Sequence, residues 1–199
     1  MIPDTMTTIF LEEISLPTDW GVYMMLAFGH DQTERFPHIA LVHPDTDLSG
    51  DVIVRIHSEC MTGDLFTSHR CDCGQQMEKS MEVITEDKGV FIYLRQEGRG
   101  IGLINKMKAY NLQDAGRDTH EANLDLGFEA DGRRYADAVT ILKHLDISKI
   151  KLLTNNPDKI SAIKAAGIEV VERLPIVIEP IEANAGYLQT KKDKFRHYL

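Results

Sequence analysis

The segment from Lys149 to Leu174 constrains the fold most, because it places one helical pattern between two short apolar runs. "KIKLLT" and "IEVVERL" are typical of strands, and "PDKISAIKAAG" between them has apolar residues at helical spacing. Asn156 can cap this helix, Pro157 suits its first position and Gly167 can end it. The segment is therefore predicted to form a β-α-β unit.

The first quarter of the chain is predicted to be mostly β. Two strands flank the turn-forming "LPTDWG", and "HIALVH" and "DVIVRIHS" have the composition of two more. Met77, Met81 and Ile84 then predict a helix that Gly89 stops before the strand "VFIYL". Further helices are predicted from Leu103 to Gln113 and over "YADAVTILKHLD". The predicted class is α/β (α+β), a mixed β-sheet with flanking helices in a single domain.

Composition argues against several functional classes. Hydrophobic residues make up 43% and charged residues 27% of the 199, as in ordinary globular domains. No apolar run approaches the roughly 20 residues that cross a bilayer, and the first residues lack the features of an export signal. We therefore expect a cytoplasmic protein. The net charge of −9 argues against general binding to nucleic acid, although a small anion could bind where basic residues gather in the middle of the chain.

All three cysteines, Cys60, Cys71 and Cys73, lie within fourteen positions. An odd number of cysteines in a chain without an export signal disfavours a disulfide framework. Zinc prefers thiolate and imidazole ligands in a tetrahedron, and C-x10-C-x-C supplies three sulfurs. The alternative is three inert buried thiols, which their neighbours Arg, Asp and Gly make the weaker interpretation.

The number of ligands bears on the kind of metal site. Three protein ligands are typical of a catalytic zinc site, which keeps one position open, whereas a structural site is closed by a fourth. His57 or His69 could be that fourth ligand, and the residues alone leave both possibilities open.

Alternation along the strand before Cys60 predicts two different faces. Val52, Val54 and Ile56 share one face, and the other carries the polar side chains of Arg55, His57 and Glu59. This polar face either leads to the cysteines or is an ordinary solvated sheet face.

Three further segments contain polar or glycine residues that also have a plain structural interpretation. "LRQEGRGIGL" could bring backbone N–H groups to an anion at a helix N-terminus, or be a tight turn. In "ADGRRYAD", Asp131 and Arg133 could form an ordinary ion pair. In "LLTNNPDK", Thr154 and Lys159 could hold phosphate or complete the turn into the helix.

Taken together, the motifs resemble the GTP cyclohydrolase II family, which opens the guanine ring at the start of riboflavin synthesis. They occur in the family's order and cover nearly the whole chain, so one GTP cyclohydrolase II-like domain over residues 1–199 is expected. The motifs are "RIHSEC" (Arg55–Cys60), "TGD" (Thr62–Asp64), "RCDCG" (Arg70–Gly74), "RQEGRGIGL" (Arg95–Leu103), "DTHEAN" (Asp118–Asn123), "LGFEADGR" (Leu126–Arg133) and "LLTNNP" (Leu152–Pro157).

The resemblance implies hydrolysis of GTP to 2,5-diamino-6-(5-phospho-ribosylamino)pyrimidin-4(3H)-one, with release of formate and pyrophosphate. It implies that Cys60, Cys71 and Cys73 hold a catalytic zinc that activates water, and that neither His57 nor His69 is a ligand. It also implies Mg²⁺ on the triphosphate. By position, the family's GTP contacts match Arg55, Ile56, His57, Ser58, Glu59, Gln76, Glu97, Gly98, Arg99, Thr119, Thr154 and Lys159.

The resemblance assigns catalytic roles to three further residues. Arg133 matches an arginine proposed to attack the α-phosphorus, Asp131 a proton acceptor and Tyr110 a tyrosine that positions water. A guanidinium is a poor nucleophile, so electrostatic stabilisation of the leaving phosphates is the alternative for Arg133. Either Glu59 or Glu97 could accept hydrogen bonds from guanine N1–H and N2–H.

The resemblance also bears on partners and variants. It implies a homodimer that binds GTP, and neither nucleic acid nor membrane. A basic residue often stands in the family where this chain has Asp158, so one phosphate contact is expected to be weaker. The length leaves no room for the dihydroxybutanone phosphate synthase domain of some homologues, so a monofunctional form is expected. Two alternatives are a zinc-stapled nucleotide-binding module without turnover and a cyclohydrolase variant with a different end product.

Overall fold

Seven strands form one mixed sheet in the computed structural model, which describes residues 7–181 and 183–198. Their order across the sheet is β1-β2-β3-β5-β4-β6-β7. The strands β1, β2, β3 and β5 pair antiparallel in that order, whereas β5, β4, β6 and β7 pair parallel. The strands are β1 (Ile9–Thr18), β2 (Gly21–Gly29), β3 (His38–Val42), β4 (Val52–Ser58), β5 (Val90–Leu94), β6 (Lys149–Leu153) and β7 (Glu169–Leu174).

Helices flank this sheet on both faces, which confirms the predicted α/β class. They are α1 (Met61–Asp64), α2 (Cys73–Glu86), α3 (Gly102–Asp114), α4 (Thr119–Asp125), α5 (Ala136–His144), α6 (Pro157–Ala165) and α7 (Ala185–Phe195), and a 3-10 turn covers Glu97–Gly100. Among the described residues, none of these helices combines the length and the apolar character that a bilayer span requires.

The predicted β-α-β unit is confirmed as β6, α6 and β7, with β6 and β7 parallel. The Asn156 side chain caps α6 by accepting a hydrogen bond of 2.9 Å from the backbone N–H of Asp158. Pro157 is the first helical residue. Gly167 follows the helix with a φ of +84°, a left-handed conformation that glycine adopts without a steric penalty.

The predicted hairpin of β1 and β2 is confirmed, but its turn is shorter than "LPTDWG". Leu16 and Pro17 still pair with β2, so only Asp19 and Trp20 lie between the strands. Gly21 begins β2 with a φ of +126°, which lets the chain reverse within these two residues.

The sheet separates two apolar layers. On one face, Val54 and Ile56 of β4 pack with α5 and α6 in the main core, and on the other face Phe91 of β5 packs with Met81 and Ile84 of α2. The parallel strands β4, β5 and β6 end side by side at Ser58, Leu94 and Leu153. In sheets of this kind, ligands bind where the carboxyl ends of parallel strands meet.

Candidate active site

The three cysteines meet at this carboxyl edge. Cys60 follows β4 and precedes α1, while Cys71 and Cys73 lie at the beginning of α2. Their sulfur atoms all lie within 4.8 Å of one another, and those of Cys60 and Cys71 are 3.6 Å apart. Zinc–sulfur bonds of about 2.3 Å in a tetrahedron place sulfurs about 3.8 Å apart. The donor set and its spacing therefore fit a zinc ion.

Two glycines allow the cysteine-bearing segments to approach this closely. A Cβ on Gly63 of α1 would lie 3.0 Å from the Cys71 sulfur, and a Cβ on Gly74 of α2 would overlap the Gly63 carbonyl oxygen. Glycine at these positions thus lets α1 contact the start of α2, so that Cys60 reaches the other two cysteines.

A buried carboxylate fixes the backbone at Cys60. Asp64 accepts hydrogen bonds from the Cys60 N–H at 2.9 Å and from the Tyr93 hydroxyl at 2.9 Å. The same carboxylate lies 3.0 Å from Nε2 of His57, whose ring stacks between Phe91 and Tyr93. Burial lowers the pKa of His57, so the imidazole is neutral and donates Nε2–H to Asp64.

Neither histidine considered as a fourth ligand joins the sulfurs. Among the described residues, the convergent metal-ligating group here consists of the three cysteines alone. His57 is held by Asp64, and His69 is exposed. Within the described part of the chain the convergent donors thus number three, as is typical of a site that keeps one position open.

A second group of potential metal ligands, His30, His38 and Asp137, is less suited to hold a metal ion. The backbone N–H of Arg95 donates to Nδ1 of His38 at 2.9 Å, so a neutral His38 carries its proton on Nε2. That nitrogen faces Asp137 at 3.3 Å as a hydrogen-bond donor. Its lone pair is therefore not free for a metal ion.

Lys106 of α3 places a positive charge beside the sulfurs. Its Nζ donates to the Cys60 sulfur at 3.1 Å, to the Thr62 hydroxyl at 2.9 Å and to Glu97 at 2.8 Å. Burial opposes this charge, but the Cys60 thiolate and Glu97 together raise the pKa of Lys106. Hydrogen bonds among the three thiols, with Lys106 beside them, lower the pKa of Cys60, and the bond to Cys60 raises the pKa of Cys71 to about 11. Cys60 is thus the thiol most readily ionised.

Tyr110, one turn after Lys106, also lies at this edge. Its hydroxyl lies 3.3 Å from that of Thr62, which in turn accepts from Lys106. Burial raises the pKa of Tyr110, so the hydroxyl keeps its proton at neutral pH.

A cavity open to solvent extends from the sulfurs to the end of β6. Besides Lys106, five cationic side chains line it: Arg55, Arg99, Arg133, Lys159 and Lys191. The alternative of a solvated sheet face before Cys60 is wrong, because Arg55 is 5% and His57 2% exposed. The helices that cover this face of the sheet exclude water from both.

The loops that carry Arg99 and Arg133 contact each other at the cavity. Arg99 has a left-handed φ of +61°, and its carbonyl accepts from the Gly132 N–H at 3.0 Å. This contact sets Arg133 beside the 3-10 turn. Asp131 binds the Arg133 guanidinium with both carboxylate oxygens, the Nε contact measuring 2.8 Å. Burial opposes the charge, but Tyr135 and Asp131 raise the pKa of Arg133 above its ordinary value.

Lys159 and Thr154 line the cavity where β6 ends and α6 begins. Lys159 is 4% exposed and donates to the carbonyl of Ile56 at 2.6 Å. Burial and the nearby charges of Arg55 and Arg133 lower its pKa well below the ordinary value. Thr154 accepts from the Asn156 N–H at 3.1 Å, so it completes the turn into α6 and also lines the cavity.

The structure brings nearly all of the predicted site residues to one cavity. Two do not line it: the Ile56 side chain lies in the main core, and Asp131 reaches it only through Arg133. Asp158, where a weaker phosphate contact was expected, is exposed and lies outside the lining. The cavity also includes polar residues that were not predicted as site residues: Lys106, Asn123, Asn155, Asn156, Tyr187, Lys191 and His197.

An α/β fold with such a cavity at the carboxyl edge of its parallel strands is typical of proteins that bind a small molecule, and the cations in the cavity suit an anionic one. Comparison with known proteins gives the particular family. The family model for GTP cyclohydrolase II matches residues 10–175, and the chain therefore belongs to the GTP cyclohydrolase II family.

Relatives in riboflavin biosynthesis agree with this assignment. The chain is 49% identical over 195 residues to the GTP cyclohydrolase-2 of Buchnera aphidicola subsp. Schizaphis graminum, covering 98% of this chain and 99% of that one. It is 50% identical over 185 residues to the GTP cyclohydrolase-2 of Neisseria meningitidis serogroup C (strain 053442), covering 92% and 93%. It also matches the riboflavin biosynthesis protein RibBA of Bacillus cereus (strain G9842) at 50% identity, with 94% of this chain and 47% of that one.

A solved structure shares the fold. RibBX, a two-domain 3,4-dihydroxy-2-butanone 4-phosphate synthase from A. baumannii, has a TM-score of 0.51 and 20% sequence identity. The match covers 88% of this chain and 42% of RibBX. The present chain is thus an enzyme of a hydrolase family of riboflavin biosynthesis.

Proposed function

We propose that the protein hydrolyses GTP to the diaminopyrimidine ribosyl phosphate, formate and pyrophosphate, as its family and the relatives' names suggest. The observation that carries the proposal is the meeting of three thiols and six cationic side chains in one cavity. The thiols suit a metal that acts at the base, and the cations suit a triphosphate. A cytoplasmic location and a homodimer are part of the same proposal.

The proposed metal ligands are Cys60, Cys71 and Cys73. Zinc held by three thiolates with an open position supplies Lewis acidity, which lowers the pKa of water toward about 7. The Lys106 ammonium offsets the negative charge of the thiolates, and the Tyr110 hydroxyl is placed to orient water at the same edge.

Glu59 is the better candidate to recognise guanine. Both oxygens of Glu97 are engaged, one by Lys106 and the Gly98 N–H and the other by the Met61 N–H at 2.6 Å. Glu59 also lines the cavity, and Arg95 engages one of its oxygens at 2.7 Å. Among the described residues, the second oxygen forms no hydrogen bond, so it is the proposed acceptor for the guanine N1–H and N2–H groups.

The triphosphate is proposed to bind among the cations. Arg55 is buried, and its Nε has no hydrogen-bond partner among the described residues. Burial lowers the pKa of the guanidinium to about 10, so the group remains charged at neutral pH. A buried donor without a partner is costly, and a phosphate oxygen would satisfy it. A triphosphate would likewise favour the charged form of Lys159. Mg²⁺ on the phosphates would help a protein of net charge −9 to hold a polyanion.

Arg133 is proposed to act by electrostatic stabilisation. Asp131 binds its guanidinium and helps to raise its pKa, which keeps the group protonated and therefore a poor nucleophile. A fixed cation beside the α- and β-phosphates would stabilise the charge that develops as pyrophosphate leaves.

The proposal is tested by incubating zinc-loaded protein with GTP and Mg²⁺ and following formate, pyrophosphate and pyrimidine absorbance. The parent protein is expected to release equal amounts of formate and pyrophosphate. Cys71→Ser should release neither product. Lys108→Met, on the exposed side of α3, should show the rates of the parent. Formate without pyrophosphate would indicate the variant with a different end product. Binding of GTP without any product would indicate the nucleotide-binding module.

A further inference from the structure

Helix α7 contributes to the cavity although it lies outside the family match. The match to the family model ends at residue 175, and α7 begins at Ala185. Tyr187 and Lys191 of this helix, and His197 just beyond it, nevertheless line the cavity. None of these residues belongs to the motifs that carry the family resemblance.

Helix α7 forms an ion pair with the segment that holds two of the thiols. The Lys191 ammonium binds one carboxylate oxygen of Asp72, which stands between Cys71 and Cys73 in the chain. The Lys191 side chain is 8% exposed and the Asp72 side chain 1%. The Lys191 ammonium also lies 4.6 Å from the centre of the Tyr187 ring on the same helix.

Asp72 transmits this contact to the proposed nucleotide site. Its other carboxylate oxygen accepts from Nε2 of the Gln76 side chain at 2.5 Å, and Oε1 of the same side chain accepts from Arg55 at 2.8 Å. One hydrogen-bonded chain therefore connects α7, the cysteine segment and β4. Each member is a buried or half-buried polar group whose position depends on its neighbours.

We propose that α7 is part of the active site and that Lys191 is a positioning residue, whose ammonium holds Asp72. Through Asp72, Lys191 orients Cys71 and Cys73 toward the metal. Through the same carboxylate it orients Gln76 and Arg55 toward the nucleotide. This inference rests on the proposed function for the identity of the metal and the nucleotide. A buried carboxylate that loses its cation is strongly disfavoured, so Asp72 would turn away or draw in water without Lys191. The groups attached to it would then lose their fixed orientation.

The experiment compares Lys191→Met with Lys192→Met, which removes an exposed ammonium from the next position of the same helix. Zinc retained against increasing chelator concentration is measured on the full chain, and GTP binding is measured separately by calorimetry. Lys191→Met is expected to raise the apparent zinc dissociation constant by about tenfold or more, as loss of outer partners of a metal site does. Lys192→Met should match the parent, and Lys191→Arg should recover most of the zinc retention.

A double variant tests whether Lys191 acts through Asp72. Because both changes remove the same contact, Asp72→Asn with Lys191→Met should lose no more zinc than the more affected single variant. The double variant leaves no unpaired charge, so it serves if Lys191→Met does not fold. The inference would be overturned if the folded Lys191→Met variant or the double variant retained zinc as well as Lys192→Met does. It would also be overturned if the zinc-affinity losses of the two single variants added fully in the double variant.

The two proposals fail in distinguishable ways. If the parent protein releases neither formate nor pyrophosphate, the proposed function is wrong, whereas zinc retention still tests the role of Lys191. If the parent turns over GTP and Lys191→Met retains zinc, GTP binding and turnover, the proposed function stands and the inference about α7 is wrong.

Discussion

The Lys106 ammonium lies 3.1 Å from the Cys60 sulfur, inside the protein and against the proposed metal site. A lysine in this position does more than balance one carboxylate, because it also neutralises part of the charge on a group of three thiols. The Lys106 and Glu97 side chains are 10% and 8% exposed, so solvent screens their interaction only weakly.

Replacing Lys106 by Met is therefore expected to destabilise the fold and the site together. Loss of the ammonium leaves Glu97 buried without its cation, which should lower the free energy of unfolding by about 3 kcal/mol. The value of kcat/KM should fall about 10- to 100-fold, as for other outer residues of metal sites. Urea unfolding and steady-state kinetics measure the two effects. Lys108→Met is the control, and equal behaviour of the two variants would refute this role.

Gly74→Ala tests whether close contact between α1 and α2 assembles the cysteines. The added methyl group would overlap the carbonyl oxygen of Gly63, a backbone atom that moves only if the two segments separate. We expect a loss of about 1–3 kcal/mol in the free energy of unfolding and weaker zinc retention. Gly186→Ala on α7 is the control, since its Cβ would have no atom within 4 Å. Full zinc retention by Gly74→Ala would show that the contact is dispensable.

Glu59→Gln tests the assignment of guanine recognition. The amide lacks the negative charge that strengthens the bonds from N1–H and N2–H, and it replaces one acceptor oxygen by an NH₂ donor, so KM for GTP should rise about 10- to 100-fold. Inosine triphosphate lacks the N2 amino group, so its disadvantage relative to GTP should shrink in this variant. Comparing kcat/KM for the two nucleotides measures the effect, with exposed Glu82→Gln as control. An unchanged preference for GTP would assign recognition to another group.

Arg133→Lys separates electrostatic stabilisation from nucleophilic attack. A lysine keeps the positive charge but loses the two-pronged contact with Asp131. We expect pyrophosphate release to continue at a reduced rate, about 10- to 100-fold below the parent, because one charged hydrogen bond is lost. Arg133→Met, which removes the charge, should be slower still. Complete loss of pyrophosphate release in Arg133→Lys, with formate still produced, would instead support a required guanidine.

Local signals account for the parts of the fold that the sequence predicted. The β6-α6-β7 unit has its cap, its proline and its terminal glycine within 26 residues, from Lys149 to Leu174. Helix α4 carried a comparable signal that the sequence interpretation did not use. Asp118 and Glu121 form a reciprocal capping box, and the D-x-x-E pattern in "DTHE" is readable without a structure.

The features that the sequence could not show depend on distant residues. Alternation put Arg55 and His57 on one face of β4, but their burial follows from the way α1 and α2 cover that face. Lys191 contacts a carboxylate 119 positions away, and no local pattern encodes such a pair. The family resemblance supplied most of the site residues because their order along the chain is readable, whereas the contribution of α7 required coordinates.

His197, which lines the cavity beyond α7, is expected to contribute to the dependence of stability on pH. Burial, together with the charges of Lys191 and Arg133, lowers its pKa from the ordinary 6.5 to about 3. Because the unfolded chain then binds a proton more readily than the folded one, stability is intact above pH 6.5 and is lost as the pH falls toward 3. Burial lowers the pKa of His57 as well, which adds to the loss in the same direction.

Between pH 6.5 and 5, His197 alone should remove up to about 2 kcal/mol from the free energy of unfolding, at about 1.4 kcal/mol per pH unit. The measurement is urea unfolding of the parent and of His197→Asn from pH 7.5 to 5, above the range where most carboxylates become protonated. The parent should lose more stability than the variant over this interval, because asparagine binds no proton. His69→Asn, which replaces an exposed histidine, should follow the parent. Parallel curves for the parent and His197→Asn would mean that His197 is not enclosed among these cations, and would weaken the position assigned to the end of α7.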